Sequence, residues 1–176
     1  MKTIFKNLLT IGVLAMIVSV FSASSARAQG SSVNVTLNVT LVDVLAMTVN
    51  DNTTTLTFAT ADDYKNGLNV SKANQLTITS NKPYDLKVKS GTDLVNASTS
   101  ASIPVSNVTV QVENASGMGT TPALALSSSD QIIANNAPAA ILKSVGMKYS
   151  TTAGNTAFLS AGGTYSATLL YSIAAH

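Results

Sequence analysis

The chain contains no cysteine, no tryptophan and a single histidine, His176, among its 176 residues. Without cysteine it forms neither disulfides nor thiolate metal sites. One histidine at the last position also argues against a Ser-His-Asp or Cys-His catalytic arrangement within the body of a domain. The composition therefore predicts a protein that is not an enzyme and has no cofactor, and we assign no catalytic and no metal-binding residue.

Charge is also sparse, and the eight acidic residues are scattered along the chain. Spacing alone leaves open a distant pair of catalytic carboxylates, so a hydrolase remains a third functional class. Sugar-cleaving sites usually add aromatic platforms, however, and tryptophan is absent. The only acidic doublet, Asp62-Asp63, matches no calcium-binding loop and is predicted to be a solvated turn.

The first 28 residues have the three parts of a secretory signal peptide. Lys2 and Lys6 supply the positive start, residues 8–21 the apolar run, and residues 26–28 (A-R-A) the small-residue cleavage site. The apolar run is shorter than the ~20 residues of a membrane-spanning helix. We therefore predict cleavage between Ala28 and Gln29, and a secreted or cell-surface protein.

Removal of this signal takes three of the ten basic residues and none of the eight acidic ones. The formal net charge changes from +2 to −1, and no arginine remains. Nucleic-acid binding needs a basic surface, so it has no electrostatic support here.

Residues 33–41, read V-N-V-T-L-N-V-T-L, alternate strictly between apolar and polar side chains. Strand side chains alternate between two faces, so this 33–41 segment is predicted to be a strand with one apolar face. That face must be buried either in its own domain or in a neighbouring molecule, and both alternatives stay open. The apolar positions are Val33, Val35, Leu37, Val39 and Leu41.

The rest of the chain carries about eight or nine short alternating runs and no convincing amphipathic helix. Turn signals separate the runs, a spacing typical of an antiparallel sandwich or barrel. Residues 44–49 are predicted to be a strand, and residues 55–59 a strand with Leu56 and Phe58 on one face. Residues 61–73 are predicted to be a loop or hairpin connection, and residues 164–173 one closing strand. Two further predicted strands are residues 84–89, with Tyr84, Leu86 and Val88 pointing inward, and residues 103–112, which supply Val108, Val110 and Val112. Residues 130–142 fit either short strands or one short helix.

Taken together, the two ends and the middle of the chain resemble a chaperone–usher pilin of the cysteine-free kind. The 33–41 segment resembles a donor strand, and residues 101–112 (A-S-I-P-V-S-N-V-T-V-Q-V) resemble the central sheet strand. Residues 162–167 (G-G-T-Y-S-A), followed by an alternating run to Ile173, resemble the closing G-x-Y-S strand. Gly163 stands fourteenth from the end, where such pilins often carry glycine. Ala175 departs from the pattern, because many pilins have an aromatic residue at the penultimate position.

The resemblance implies an all-β fold, namely one immunoglobulin-like antiparallel β-sandwich over residues 44–176 that lacks one strand. Residues 29–43 would be an N-terminal extension that carries the donor strand. In that family the extension of the next subunit fills the groove, and a periplasmic chaperone fills it beforehand. The implied donor side chains are Val33, Val35, Leu37, Val39 and Leu41. The implied groove-lining strand carries Gly163, Tyr165, Ala167, Leu169, Tyr171 and Ile173.

The expected function is therefore that of a non-catalytic structural subunit of an exported surface fibre, a pilus or fimbria. Its expected partners are other copies of the chain, a periplasmic chaperone, an outer-membrane usher and a host or surface receptor. The alternative is a self-contained secreted or cell-surface β-sandwich binding domain, in which the 33–41 segment is the domain's own first strand.

Overall fold

Eleven strands, one short α-helix and two 3₁₀ turns make up the part of the chain that the computed structural model describes, residues 32–113 and 115–176. The predicted signal peptide and the Ala28–Gln29 cleavage site lie outside these residues. The helix is α1 (Ala61–Asn66), and the 3₁₀ turns are Val105–Asn107 and Thr156–Phe158. The strands are β1 (Leu45–Val49), β2 (Asn69–Ser80), β3 (Tyr84–Ser90), β4 (Leu94–Asn96), β5 (Ser102–Ile103), β6 (Val108–Val112), β7 (Leu124–Ala125), β8 (Gln131–Ala137), β9 (Ala140–Thr151), β10 (Tyr165–Ser166) and β11 (Leu169–Ala175).

The strands form three antiparallel sheets. The largest has the order β1-β2-β9-β6-β7, a second has the order β11-β3-β8, and a small third sheet has the order β10-β4-β5. The chain divides into two units between Thr40 and Leu41, and every strand belongs to the second unit. The predicted all-β fold of antiparallel sheets in a sandwich is confirmed. Within the described residues, no helix is long and apolar enough to cross a membrane.

Alternating side chains build the core between the sheets. In β3 the predicted inward residues Tyr84, Leu86 and Val88 have no exposed surface, and the polar residues between them face outward. In β6 the same alternation buries Val108, Val110 and Val112. Burial of one such side chain contributes roughly 1.5–3 kcal/mol. These central strands therefore supply much of the stability of the sandwich.

The predicted loop at residues 61–73 is wrong, because helix α1 occupies its start and β2 begins at Asn69. The helix has a capping box: the Thr60 hydroxyl accepts from the Asp63 amide, and Asp63 Oδ2 accepts from the Thr60 amide at 2.7 Å. The hydrogen bonds that the Asp63 carboxylate accepts, first of all that from the Thr60 amide and then those from the Thr60 hydroxyl and the Ala59 amide, lower the pKa of Asp63. A capping box satisfies backbone donors that would otherwise lack partners at a helix start.

Two further strand predictions need correction. Residues 55–59 form no strand, although Leu56 and Phe58 are half-buried as the alternation predicted. Phe58 stacks instead on Phe158, with ring centroids 4.8 Å apart. The ambiguous residues 130–142 form strand β8 and the start of β9, and no helix.

Candidate strand-accepting groove

The outer edge of β11 has no partner strand in the part of the chain that is described. On its inner side β11 pairs with β3. Two hydrogen bonds show which residues of this segment point their backbone groups toward β3: the His176 amide donates to the Pro83 carbonyl, and the Thr168 carbonyl accepts from the Gly91 amide. Both residues on the β11 side are even-numbered. Bonded and non-bonded pairs alternate along an antiparallel ladder. The amides and carbonyls of the odd-numbered residues of β11 therefore point away from β3. This edge offers a row of backbone partners to an added strand.

The same odd-numbered residues turn their side chains toward the core. The register pairs Leu169 with Ser90, Tyr171 with Val88 and Ile173 with Leu86. Directly paired residues share a face of the sheet, and all three β3 partners are buried. Leu169, Tyr171 and Ile173 pack on the core, yet they remain only partly buried.

Strand β1 provides the opposite wall, at the edge of the five-stranded sheet. The register pairs Leu45 with Ser80, Met47 with Ile78 and Val49 with Leu76. The β2 partners are buried, so the three β1 side chains also face the interior. Leu45 and Val49 nevertheless keep 40% and 51% of their surface exposed. Strand β1 of the five-stranded sheet and β11 of the β11-β3-β8 sheet thus both carry partly exposed apolar side chains on their inward faces. We call the cleft between these two strands the β1–β11 groove.

The groove is partly closed in this structure. Cα atoms of β1 and β11 come within 8 Å of each other, although no backbone ladder joins the two strands. A strand that is paired on both sides needs about 10 Å between its neighbours. A strand added along β11 would therefore have to push β1 outward or lie over its apolar side chains.

A buried polar network closes one end of the groove. The Tyr149 hydroxyl donates to Gln75 Oε1 at 2.8 Å, and it is also hydrogen-bonded to the Tyr171 hydroxyl. Gln75 reaches the interior because the ladder between β2 and β9 shifts register between Lys72 and Leu76, so that Gln75 and Leu76 are both buried. Burial raises the pKa values of Tyr149 and Tyr171, and keeps both phenols neutral. The network ties β11 to the five-stranded sheet at this point.

The predicted closing strand is broken into two strands in different sheets. Tyr165 lies in β10 and pairs with Asn96 of β4, whereas β11 begins at Leu169. Gly163 precedes β10 at φ +146°, and a Cβ there would lie 2.4 Å from Asn96 Nδ2. Ala167 falls between the two strands and packs on the core. Of the predicted groove residues, only Leu169, Tyr171 and Ile173 thus lie on β11, and Gly163 and Tyr165 belong to a different part of the fold.

The predicted donor side chains are fully accessible. Residues 32–44 form neither strand nor helix, so the predicted strand is not present in the single chain. The structure therefore gives no support to the 33–41 segment as the first strand of its own domain, and its donor role stays a prediction. The exposed fractions are 82% for Val33, 88% for Val35, 85% for Leu37, 74% for Val39 and 85% for Leu41.

Residues 42–44, which directly follow the 33–41 segment, are fixed to the turn between β2 and β3. The Asn81 side chain donates to the Val42 carbonyl and accepts from the Val44 amide, both at 2.9 Å. The Asn81 amide donates to the Val44 carbonyl at 3.2 Å, and Lys82 forms an ion pair with Asp43. We call these contacts the Asn81 clamp. The predicted strand at residues 44–49 is confirmed as β1, but its place in the wall of the groove and the Asn81 clamp were not predicted from the sequence.

The single histidine has a structural contact at the end of β11. His176 Nδ1 lies 3.0 Å from Asp85 Oδ1, which also accepts from the Asn136 amide at 2.8 Å. These contacts join the ends of β11 and β8 to β3. Among the described residues, no three histidine, aspartate or glutamate side chains come together as a group that could hold a metal ion.

No known family model matches the chain, and no curated protein matches it either.

Proposed function

We propose that this chain is a non-catalytic structural subunit of an exported surface fibre, in which the 33–41 segment of one copy pairs with β11 of another. The observation that carries the proposal is the unpaired edge of β11. Leu169, Tyr171 and Ile173 point their backbone amides and carbonyls away from β3 along this edge, and the side chains of the same three residues are only partly buried. A periplasmic chaperone, an outer-membrane usher and a surface receptor are partners that this function would require or allow.

The pairing is supported by complementary chemistry. Strand addition uses backbone hydrogen bonds along an edge and places alternate side chains in apolar pockets. The 33–41 segment has five exposed apolar side chains at that spacing, and β11 has a free edge of seven residues. If all five became buried, the gross gain would be about ten kcal/mol before ordering costs. That gain is large enough to hold subunits together without a covalent bond.

The alternative, a self-contained surface binding domain, would use the 33–41 segment as its own first strand. The absence of any strand over residues 32–44 does not favour it.

The first test changes the two side-chain faces of the 33–41 segment in the chain without residues 1–28. We expect the unchanged chain to form a series of multimers that resist detergent until they are heated. Leu37→Asp should abolish these multimers, because it places a charge on the face that becomes buried. Asn38→Asp adds the same charge to the opposite face and should leave the multimers intact.

The second test makes the matched change in the acceptor. Val49→Asp alters a side chain that faces the groove, and Thr48→Asp alters its neighbour on the outer face of β1. We expect Val49→Asp to block multimers and Thr48→Asp to permit them, with folding of both variants checked by thermal unfolding. A stable monomer from the unchanged chain, under conditions in which it is folded, would contradict the proposed function.

A further inference from the structure

We propose that one end of the five-stranded sheet, formed by Val44, Ile141 and Leu142, is a contact surface for the neighbouring copy of this chain in the fibre. We call this surface the apolar end. The proposal rests on the proposed function and extends it, because it assigns an interface outside the β1–β11 groove.

The apolar end is exposed although it consists of large apolar side chains. Ile141 and Leu142 are 83% and 73% exposed, and Val44 is 46% exposed. Val44 directly precedes Leu45, which pairs with Ser80, and Ser80 pairs with Ala140, which directly precedes Ile141. The three residues therefore lie at the same end of three adjacent strands, which together span about 10 Å.

Leu142 combines an unusual backbone conformation with an exposed apolar side chain. Its φ is +51°, in the left-handed region that leucine rarely adopts. Its amide donates to the Thr79 hydroxyl at 3.0 Å, and its side chain is exposed. Asparagine or glycine would occupy such a position with less strain. An exposed leucine held in this way is better explained by a contact outside the subunit.

The Asn81 clamp identifies the occupant of the apolar end. The 33–41 segment ends at Leu41, and the clamp fixes residues from Val42 onward. A residue spans at most about 3.6 Å, so Leu41 lies within about 11 Å of Val44 along the chain. A copy that holds the 33–41 segment in its groove must therefore lie directly beside the apolar end of the donating copy. The occupant is the copy that accepts the donor strand.

The test compares multimers of the chain without residues 1–28 with those of an Ile141→Ser/Leu142→Asn variant. Asparagine suits the left-handed backbone at position 142, so the subunit should fold with unchanged or higher thermal stability. We expect the variant to form multimers that dissociate in guanidinium about tenfold faster. Ile141→Ser alone, which leaves the backbone at position 142 untouched, should show a smaller increase in rate.

Leu159→Ser is the matched control. Leu159 is 70% exposed and directly follows the 3₁₀ turn Thr156–Phe158, beyond the Thr151 end of β9, whereas the apolar end lies at the Ala140 end of that strand. We expect its multimers to dissociate at the unchanged rate. If the double variant also dissociates at the unchanged rate, the apolar end is not an interface, while the proposed function stands. If the unchanged chain forms no multimers, the proposed function fails, and the interface fails with it.

Discussion

Strands β3 and β11 lie side by side, each has seven residues, and both alternate between inward apolar and outward side chains. In β3 the inward residues Tyr84, Leu86 and Val88 have no exposed surface. In β11 the inward residues are only partly buried. The two strands also differ in their neighbours, because β3 lies between β11 and β8 whereas β11 pairs only with β3. Alternation thus predicts which way the side chains of β3 and β11 face, but not how far each side chain is covered.

The apolar side chains of the 33–41 segment are far more exposed than the inward side chains of β3 and β11. It has the same alternation, forms no strand, and leaves its apolar side chains 74% to 88% exposed. Apolar burial contributes free energy only where a partner removes the surface from water. Strand β11 therefore has an unpaired backbone edge with partly buried apolar side chains, and the 33–41 segment has exposed apolar side chains at the same spacing.

The largest expected effect separates the covered strand from the half-covered one. Leu86→Ala should lower the free energy of unfolding by about 3 kcal/mol, because it leaves a cavity in the closed core. Ile173→Ala should cost about 1 kcal/mol, because the groove already exposes part of that side chain. Chemical denaturation measures both free energies, in the Leu37→Asp background, which the proposed function predicts to be monomeric.

Equal costs for Leu86→Ala and Ile173→Ala would show that β11 is covered in solution. That result would remove the main support for the proposed groove. If the chain forms the proposed multimers, Ile173→Ala should become more costly in them, because the proposed donor strand would cover the side chain.

A smaller effect is expected from the hydroxyl that ties β11 to the five-stranded sheet. Tyr171→Phe removes its hydrogen bond to Tyr149 and should cost about 1 kcal/mol. On β3, Tyr84→Phe should cost less, because the Tyr84 hydroxyl has only a weak contact with Met118 Sδ at 3.6 Å. Thermal or chemical unfolding of the two variants gives the comparison, and a larger loss for Tyr84→Phe would contradict it.

The same hydroxyls predict sensitivity to alkali. Burial raises the pKa values of Tyr149, Tyr171 and Tyr84 above the ordinary value near 10. A raised folded-state pKa contributes stability that is complete below the unfolded value and is lost as the pH rises above it. The melting temperature should therefore fall as the pH increases beyond about 10. Ionisation of these phenols in the folded protein at that pH, seen by phenolate absorbance, would be inconsistent with their burial.

The parts of the fold that could be predicted from the sequence are those that depend on local alternation. Strands β3 and β6 were predicted with the correct inward residues, because a period of two within one run determines which side chains share a face. The all-β class followed from several such runs with turn signals between them. These predictions need no information about which strands pair.

The parts that could not be predicted depend on pairing between distant residues. The split between Tyr165 and Leu169 arises because one strand pairs with β4 and the other with β3, although the alternation continues through both. Leu45, Met47 and Val49 of β1 face the groove because they pair with buried residues of β2, and the sequence does not show which residues pair. Helix α1 is a different case, because Thr60 and Asp63 have capping-box spacing that the sequence analysis did not use.

The smallest expected effect concerns the end of β11 beside β3. Asp85 of β3 accepts from the Asn136 amide and contacts His176. The Asn136 bond, and to a lesser degree His176, lower the pKa of Asp85, while desolvation opposes them. A lowered folded-state pKa contributes stability above the unfolded value of about 4, and that stability is lost as the pH falls through the folded value. Asp85→Asn should therefore lower the melting temperature by about 2 °C at pH 7 and by less at about pH 3. An equal loss at both pH values would mean that the carboxylate charge does not hold the end of β11, and that β11 is retained by its ladder with β3 alone.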